Sequence, residues 1–123
     1  EDLIIIKNIF DSLKDGGTFI LECVSRETAI MYFTQGEEFD RAGMKVTTKF
    51  KVEGAWEGLI SEWNLEAPDG EKLHHVFTQR LYSASDLRDK MKKIGFSKVD
   101  VYGDFDYSPY DQNARTMIIV AKK

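Results

Sequence analysis

The chain has 123 residues, of which 42% are hydrophobic and 31% charged. This composition is typical of one globular domain and excludes both a disordered chain and a second independent core. Its formal net charge of −4 gives it no electrostatic attraction for nucleic acid or for an anionic membrane. No apolar run approaches the roughly 20 residues of a membrane span, there is no signal peptide, and the single cysteine, Cys23, suits a reducing compartment, so we expect a cytoplasmic protein.

The first predicted elements are a helix and a buried strand. Apolar residues recur at helical spacing near the start of the chain: Leu3, Ile6, Phe10 and Leu13. Gly16 and Gly17 follow, and because glycine allows the left-handed conformation that ends a helix, we expect a helix over 2–14. The mostly apolar run at 18–24 then predicts a short buried strand.

Two features predict that the chain is a piece of a longer protein. It begins with Glu1 and Asp2, without a methionine or a leader, and enters a helical pattern at once. A helix followed by a buried strand is also half of an α/β unit, and the strand that would precede the helix is missing.

The middle of the chain changes from an ambiguous pattern to a clear one. Residues 26–39 fit either a short helix or, over 35–38, a polar loop. From residue 45 onwards apolar and polar residues alternate, which indicates half-exposed antiparallel strands. Together with a proline–glycine turn at 67–70, this alternation predicts a three-stranded antiparallel meander over 45–82.

The last part of the chain is predicted to hold one helix and two strands. Ser83 or Ser85 is placed to cap the helix, and Gly95 is placed to end it. Strands are expected over 97–102 and 116–121, separated by a loop that is rich in acidic and aromatic residues.

Three segments of the sequence carry a resemblance to one enzyme family. Residues 11–20 (DSLKDGGTFI) resemble the "LkpGG-f-i" segment of class I S-adenosylmethionine-dependent methyltransferases. Residues 82–87 (YSASDL) and 94–96 (IGF) resemble the helix that precedes strand six in that family. Residues 101–106 (VYGDFD) and 115–122 (RTMIIVAK) resemble its hairpin of strands six and seven. The three matches follow in the family's order and cover essentially the whole chain, closest to a small-molecule subgroup, although Asp15 stands where proline is commonest.

This resemblance implies an α/β fold class, or α+β for the fragment by itself. The chain would form the C-terminal half of a Rossmann-like methyltransferase sheet with strand order 5-7-6, in which the last strand is antiparallel. The antiparallel meander would be an insertion into that sheet. Residues 1–123 would then be one partial domain, divided into a helix and strand five at 1–24, the insertion at 40–82 and the final helix and strands at 83–123.

The resemblance also implies that S-adenosylmethionine is the cofactor and that most of its site lies outside this chain. The family binds the cofactor with a glycine-rich loop and an acidic residue in the first half of its fold. No G-x-G-x-G sequence occurs here, since Gly16 and Gly17 only end a helix. We therefore expect a substrate-side half that is inactive by itself and acts on a small molecule in the longer enzyme. The alternative is a freestanding α+β ligand-binding or dimerisation module without catalytic activity.

Arg26, Arg80 and Tyr82 are candidate substrate-binding residues near strand ends. Arg26 follows the predicted buried strand, and ligands bind at the carboxyl ends of strands in open α/β sheets. The alternative for Arg26 is a surface ion pair, for example with Glu27. The resemblance places Arg80 and Tyr82 near the substrate entrance, whereas an exposed strand face would explain them equally well.

His75 is a candidate substrate-side base because imidazole titrates near neutral pH. It does not suit a metal site together with His74, because neighbouring strand residues point to opposite faces. No other cluster has the spacing of metal ligands, so no metal is expected. No catalytic residue is assigned, since methyl transfer needs a well-positioned acceptor rather than a covalent nucleophile.

The loop at 104–111 is a candidate site for recognising an amine by charge and by aromatic ring faces. Asp104, Tyr107 and Tyr110 are its candidate substrate-binding residues, and a solvated turn is the alternative. We also expect the chain to associate with itself. The apolar strand at 18–24 would be an exposed edge without its neighbour, and the association is expected through that edge or through the meander.

Overall fold

The computed structural model describes all 123 residues. Its helices and strands, in chain order, are α1 (Asp2–Ser12), β1 (Thr18–Cys23), α2 (Arg26–Met31), β2 (Gly36–Arg41), β3 (Met44–Glu53), β4 (Gly58–Glu66), β5 (Lys72–Arg80), α3 (Ala84–Ile94), β6 (Lys98–Tyr102) and β7 (Met117–Lys122). They form two compact units. The first unit contains residues 1–31 and 82–123, and the second contains residues 32–81.

The first unit is built on a three-stranded sheet in the order β1-β7-β6. The last strand, β7, lies between the other two and is antiparallel to both. This is the order predicted for strands five, seven and six, so the expected fold class is confirmed. The edge position of β1 is also as expected, and its Ile20 side chain is 63% exposed.

The core of the first unit joins α1, α3 and the central strand. Its fully or nearly fully buried side chains include Ile6, Leu87, Met91, Met117 and Ile119. Burial of each such side chain is worth about 1.5–3 kcal/mol. An aromatic contact extends the core, because the rings of Phe10 and Phe96 meet edge to face with centroids 4.9 Å apart.

The second unit is a four-stranded antiparallel sheet in the order β2-β3-β4-β5. The predicted three-stranded meander corresponds to β3, β4 and β5, so that count is corrected by one strand. The additional strand, β2, has the sequence GEEFDR. Phe39 is half-buried, and the other residues of this strand are exposed. As an edge strand it has one neighbour and little apolar surface to bury, so it lacks the alternation that reveals β3.

The helix boundaries follow local capping. The first helix ends at Ser12 rather than at residue 14, because Leu13 is already extended and Gly16 takes its positive φ in the turn beyond. Residues 26–31 form a short helix, which is one of the possibilities that the sequence pattern of 26–39 allows. The cap of α3 is Ser83, whose hydroxyl accepts a hydrogen bond from the backbone N–H of Asp86.

Substitution of Gly95, directly after α3, tests how closely this position packs against α1. It has φ +135°, and a Cβ atom added there would lie 2.8 Å from Cζ of Phe10, whereas Gly70 has φ +86° and open space around it. We expect Gly70→Ala to lower the free energy of unfolding by about 1–2 kcal/mol through backbone strain alone. Gly95→Ala should cost about 3 kcal/mol or more, since it adds overpacking. Urea unfolding measures both, and equal losses would contradict the packing described.

Candidate functional site

The candidate site lies where β1 ends and α2 begins. Ser25 is completely buried there and Thr28 is 3% exposed. The backbone N–H of Thr28 donates to Oγ of Ser25 at 3.1 Å, and the backbone N–H of Ser25 donates to Oγ1 of Thr28 at 3.0 Å. This reciprocal arrangement is that of a capping box, and it fixes the direction in which the chain leaves the strand.

Tyr110 brings a distant loop to the same point. Its hydroxyl donates to Oε1 of Glu27 at 3.0 Å and also hydrogen-bonds with Oγ of Ser25. The same Glu27 oxygen accepts the backbone N–H of Ala84 at 2.8 Å, at the start of α3. We call Ser25, Glu27, Thr28 and Tyr110 the Tyr110 cluster. One carboxylate thus joins α2, α3 and the loop before β7.

The Tyr110 hydroxyl is held in its protonated form. Burial, together with the hydrogen bond and charge of Glu27, raises the pKa of Tyr110 to about 12. At neutral pH this side chain is therefore a hydrogen-bond donor, and its hydroxyl already has two partners inside the protein.

Arg26 and Tyr82 lie beside this cluster. The backbone N–H of Arg26 donates to the carbonyl of Tyr82 at 2.9 Å. The Tyr82 hydroxyl donates to Oδ2 of Asp2 at 2.8 Å, which links the start of α1 to the segment before α3. Of the predicted substrate-binding residues, the structure therefore brings Arg26, Tyr82 and Tyr110 to one end of the first unit.

Asp104 and Tyr107 lie on the loop that ends in Tyr110 and β7. Gly103 anchors this loop, because its N–H donates to the carbonyl of Ser108 and its own carbonyl accepts the N–H of Arg115, both at 2.8 Å. The Asp104 carboxylate lies 3.8 Å from Nε of Arg115 and is one-third exposed. Tyr107 is 73% exposed and has φ +63°, so it presents a ring to solvent at the cost of backbone strain.

Cys23 is half-buried on β1. Burial, followed by the nearby charge of Glu22, raises the pKa of the thiol. A raised pKa lowers the thiolate fraction at neutral pH, which is the form that reacts.

His75 and Arg80 belong to the second unit. His75 lies on the exposed strand β5, directly opposite Trp63 on β4. It lines a shallow, mostly apolar hollow of about 440 Å³ together with Trp63, Leu65, Val76 and Phe77. Arg80 is the last residue of β5.

A metal ion needs a cluster of ligand side chains, and a nucleotide-type cofactor needs a glycine-rich turn at the start of a helix. No group of three or more His, Cys, Asp or Glu side chains is placed to hold a metal ion. Neither α2, which follows Ser25, nor α3, which follows Ser83, begins after a glycine-rich turn of the kind that binds a cofactor. The residues at these two helix starts therefore do not fit the glycine-rich cofactor loop that the sequence resemblance implies. None of the helices has the length and apolar character of a membrane span.

Glu27 and Ser25 are the site residues that sequence reasoning missed. The sequence suggests only an ion pair of Glu27 with Arg26, whereas in the structure a Glu27 oxygen accepts hydrogen bonds from both Tyr110 and Ala84. The S-x-x-T spacing of Ser25 and Thr28 was a detectable signal, because this spacing directly after a strand is typical of a helix cap. The contact between residues 27 and 110 left no signal in the sequence.

The structure is similar to several solved methyltransferases. It superposes on the CcbJ methyltransferase from Streptomyces caelestis with a TM-score of 0.77 and 16% sequence identity, over 97% of this chain and 48% of that one. A S-adenosylmethionine-dependent methyltransferase from Clostridium acetobutylicum gives a TM-score of 0.78 at 13% identity, over 98% and 50%. The chain has the fold of half a methyltransferase.

A third similar structure has the cofactor bound. CalS10 from Micromonospora echinaspora, an amino pentose methyltransferase involved in calicheamicin biosynthesis, was solved with S-adenosylmethionine and gives a TM-score of 0.61 at 13% identity. This chain spans about half the length of each of these enzymes, consistent with the predicted C-terminal half. No protein-family model and no curated protein matches the sequence.

The Tyr110 cluster predicts a specific pH dependence of stability. Because folding raises the pKa of Tyr110 from its ordinary value of 10 to about 12, this group's contribution is complete below about pH 10 and is lost as the pH rises through 12. Urea unfolding should therefore show a steeper fall in stability over this range for the wild type than for Tyr110→Phe. Tyr102→Phe is the matched control and should keep the wild-type slope; equal slopes for all three proteins would contradict the assignment.

Proposed function

We propose that this chain is the substrate-side, C-terminal half of a S-adenosylmethionine-dependent methyltransferase that acts on a small molecule. The observation that carries the proposal is the superposition of nearly the whole chain on half of several such enzymes, in the strand order that the sequence motifs imply. KedS8, a sugar N-methyltransferase, and CalS10, an amino pentose methyltransferase, are also among the similar structures. Their names favour an acceptor of the aminosugar kind for this protein as well.

The cofactor would be held by residues outside this chain. When bound, S-adenosylmethionine would supply the reactive methyl group, and the residues described here would bind and orient the acceptor. A cytoplasmic location is part of the proposal and rests on the single cysteine, Cys23, which has no disulfide partner in this chain.

In the first unit, we propose that the acceptor is bound by the loop of Asp104 and Tyr107 and by Arg26 and Tyr82 at the end of β1. Asp104 would attract the charge of a protonated amine, and the exposed ring of Tyr107 would cover an apolar or cationic face. Tyr110 would contribute by holding this loop against Glu27, since its hydroxyl is already engaged there.

In the second unit, His75 and Arg80 remain proposed acceptor-binding residues. The hollow around His75 offers apolar side chains and one titratable ring, which suits an uncharged part of a small molecule. Self-association of the chain, expected from its exposed strand edges, is part of the same proposal.

The first experiment is the intact mass of the protein from its native source, followed by a methyl-transfer assay. We expect a mass above 14.1 kDa by roughly half of a 200–250-residue domain. That full-length protein should methylate members of a panel of aminosugars and other small amines. Calorimetry should show no tight binding of S-adenosylmethionine to the 123-residue chain alone. A native mass of 14.1 kDa without methyl transfer would contradict the proposal and favour a freestanding binding module.

The role of Asp104 is tested in the full-length enzyme with Asp104→Asn. Removing one charge-assisted contact to an amine should raise KM for the acceptor about tenfold, with a smaller change in kcat. Asp89→Asn is the matched control, since this aspartate lies exposed on α3 beside Arg88. An unchanged KM in the Asp104 variant would remove this residue from the proposed site.

A further inference from the structure

The two edge strands of the second unit have their outward backbone groups in matching positions. Just before β2, the carbonyl of Gln35 accepts a hydrogen bond from the backbone N–H of Phe50 on β3, and this pair continues the β2–β3 register. In antiparallel sheets such hydrogen-bonded pairs recur at every second residue. The odd-numbered residues of β2 therefore bond to β3, which leaves the N–H and C=O groups of Glu38 and Asp40 directed outward. The backbone groups of Gly36 are bonded to the Thr34 hydroxyl instead.

The same reasoning applies to β5 at the other edge. The N–H of Leu81 donates to the carbonyl of Glu57, and the N–H of Ala67 donates to the carbonyl of Glu71. Both pairs continue the β4–β5 register, so the odd-numbered residues of β5 bond to β4. Its outward backbone groups belong to the even-numbered residues: Lys72, His74, Val76, Thr78 and Arg80. All nine residues of this strand are exposed.

The strand registers also place complementary side chains at the two edges. One row across the sheet runs Asp40, Lys45, Glu66, Lys72, so that negative and positive charges alternate from edge to edge. The neighbouring row on the opposite face is entirely apolar: Phe39, Val46, Leu65 and Leu73. In the first row the β5 residue, Lys72, is opposite in charge to the β2 residue, Asp40. In the second row the two edge residues, Phe39 and Leu73, are both apolar.

Contacts between identical edges would be unfavourable by comparison. The β5 sequence KLHHVFTQR contains Lys72 and Arg80 but no acid, whereas the β2 sequence GEEFDR contains three acids and one arginine. Two β5 strands would bring like charges together, and so would two β2 strands. The charges favour the pairing of one edge with the other.

We propose that β2 of one copy pairs antiparallel with β5 of a second copy, with Asp40 opposite Lys72, so that the rows of the sheet continue from copy to copy. In this register Glu38 lies opposite His74 and Phe39 lies opposite Leu73. The pairings of Asp40 with Lys72 and of Glu38 with His74 lie on one face of the continued sheet, and the pairing of Phe39 with Leu73 lies on the other. The outward backbone groups of the two strands coincide in this register. The inference specifies the contact for the proposed self-association, and it does not depend on methyl transfer.

The test is sedimentation velocity of the 123-residue chain across a wide concentration range, without cofactor or acceptor. Lys72→Glu and Asp40→Lys should each raise the dissociation constant of self-association roughly tenfold, because attraction across the edge becomes repulsion. The double variant restores an opposite-charge pair and should recover most of the wild-type association. Lys51→Glu makes the same charge change on the interior strand β3 and should have little effect. Circular dichroism confirms that each variant is folded.

The outcomes separate this inference from the broader proposals. A wild-type chain that is monomeric at every concentration overturns both self-association and the edge pairing. Association that responds equally to Lys72→Glu and to Lys51→Glu overturns the edge pairing alone. Single variants that weaken association without recovery in the double variant show that Asp40 and Lys72 do not face each other. None of these results bears on the methyl-transfer assay, which has its own readout.

Discussion

The pairing of β7 with two neighbours is the constraint on which the first unit depends. This strand is the last in the chain, yet it occupies the centre of the sheet, antiparallel to both β1 and β6. Met117 and Ile119 on this strand are completely buried. Because β7 fixes the position of β1, it also fixes where β1 ends and α2 begins. The loop that precedes β7 must return from β6 across the same end of the sheet, and this return brings Tyr110 to Glu27.

The Tyr110 cluster also has a structural role, because it connects α2, α3 and the loop before β7. A single carboxylate oxygen of Glu27 accepts hydrogen bonds from the phenol of Tyr110 and from the first N–H of α3. Buried polar groups of this kind stabilise a fold only when their partners are in place. The cluster therefore gives the loop of Asp104 and Tyr107 a rigid support, while the loop's outer side chains remain accessible. Accessible side chains on a supported loop are the usual arrangement for ligand recognition.

The second unit is organised differently, as an antiparallel sheet with one polar and one apolar face. In the row of Asp40, Lys45, Glu66 and Lys72 the charges alternate in sign from strand to strand, so Lys45 lies between two acids and Glu66 lies between two lysines. Such a pattern stabilises the sheet internally and leaves unlike charges at its two edges. Natural sheets commonly protect their edges with charge. Here the charges differ in sign between the edges, which deters identical edges from pairing and permits unlike ones to do so.

The sequence by itself determined the order of the elements other than β2, the amphipathic helices, the meander from residue 45 and, through three segments, the resemblance to half of a methyltransferase. These features are local, since periodicity, caps and turns depend on residues close together in the chain. Tertiary structure alone decided that β2 is a strand, because an edge strand with one half-buried residue, Phe39, is stabilised by its partner rather than by its own pattern. It also decided that Glu27 meets Tyr110, because residues 83 positions apart in the chain come together only when β7 enters the sheet.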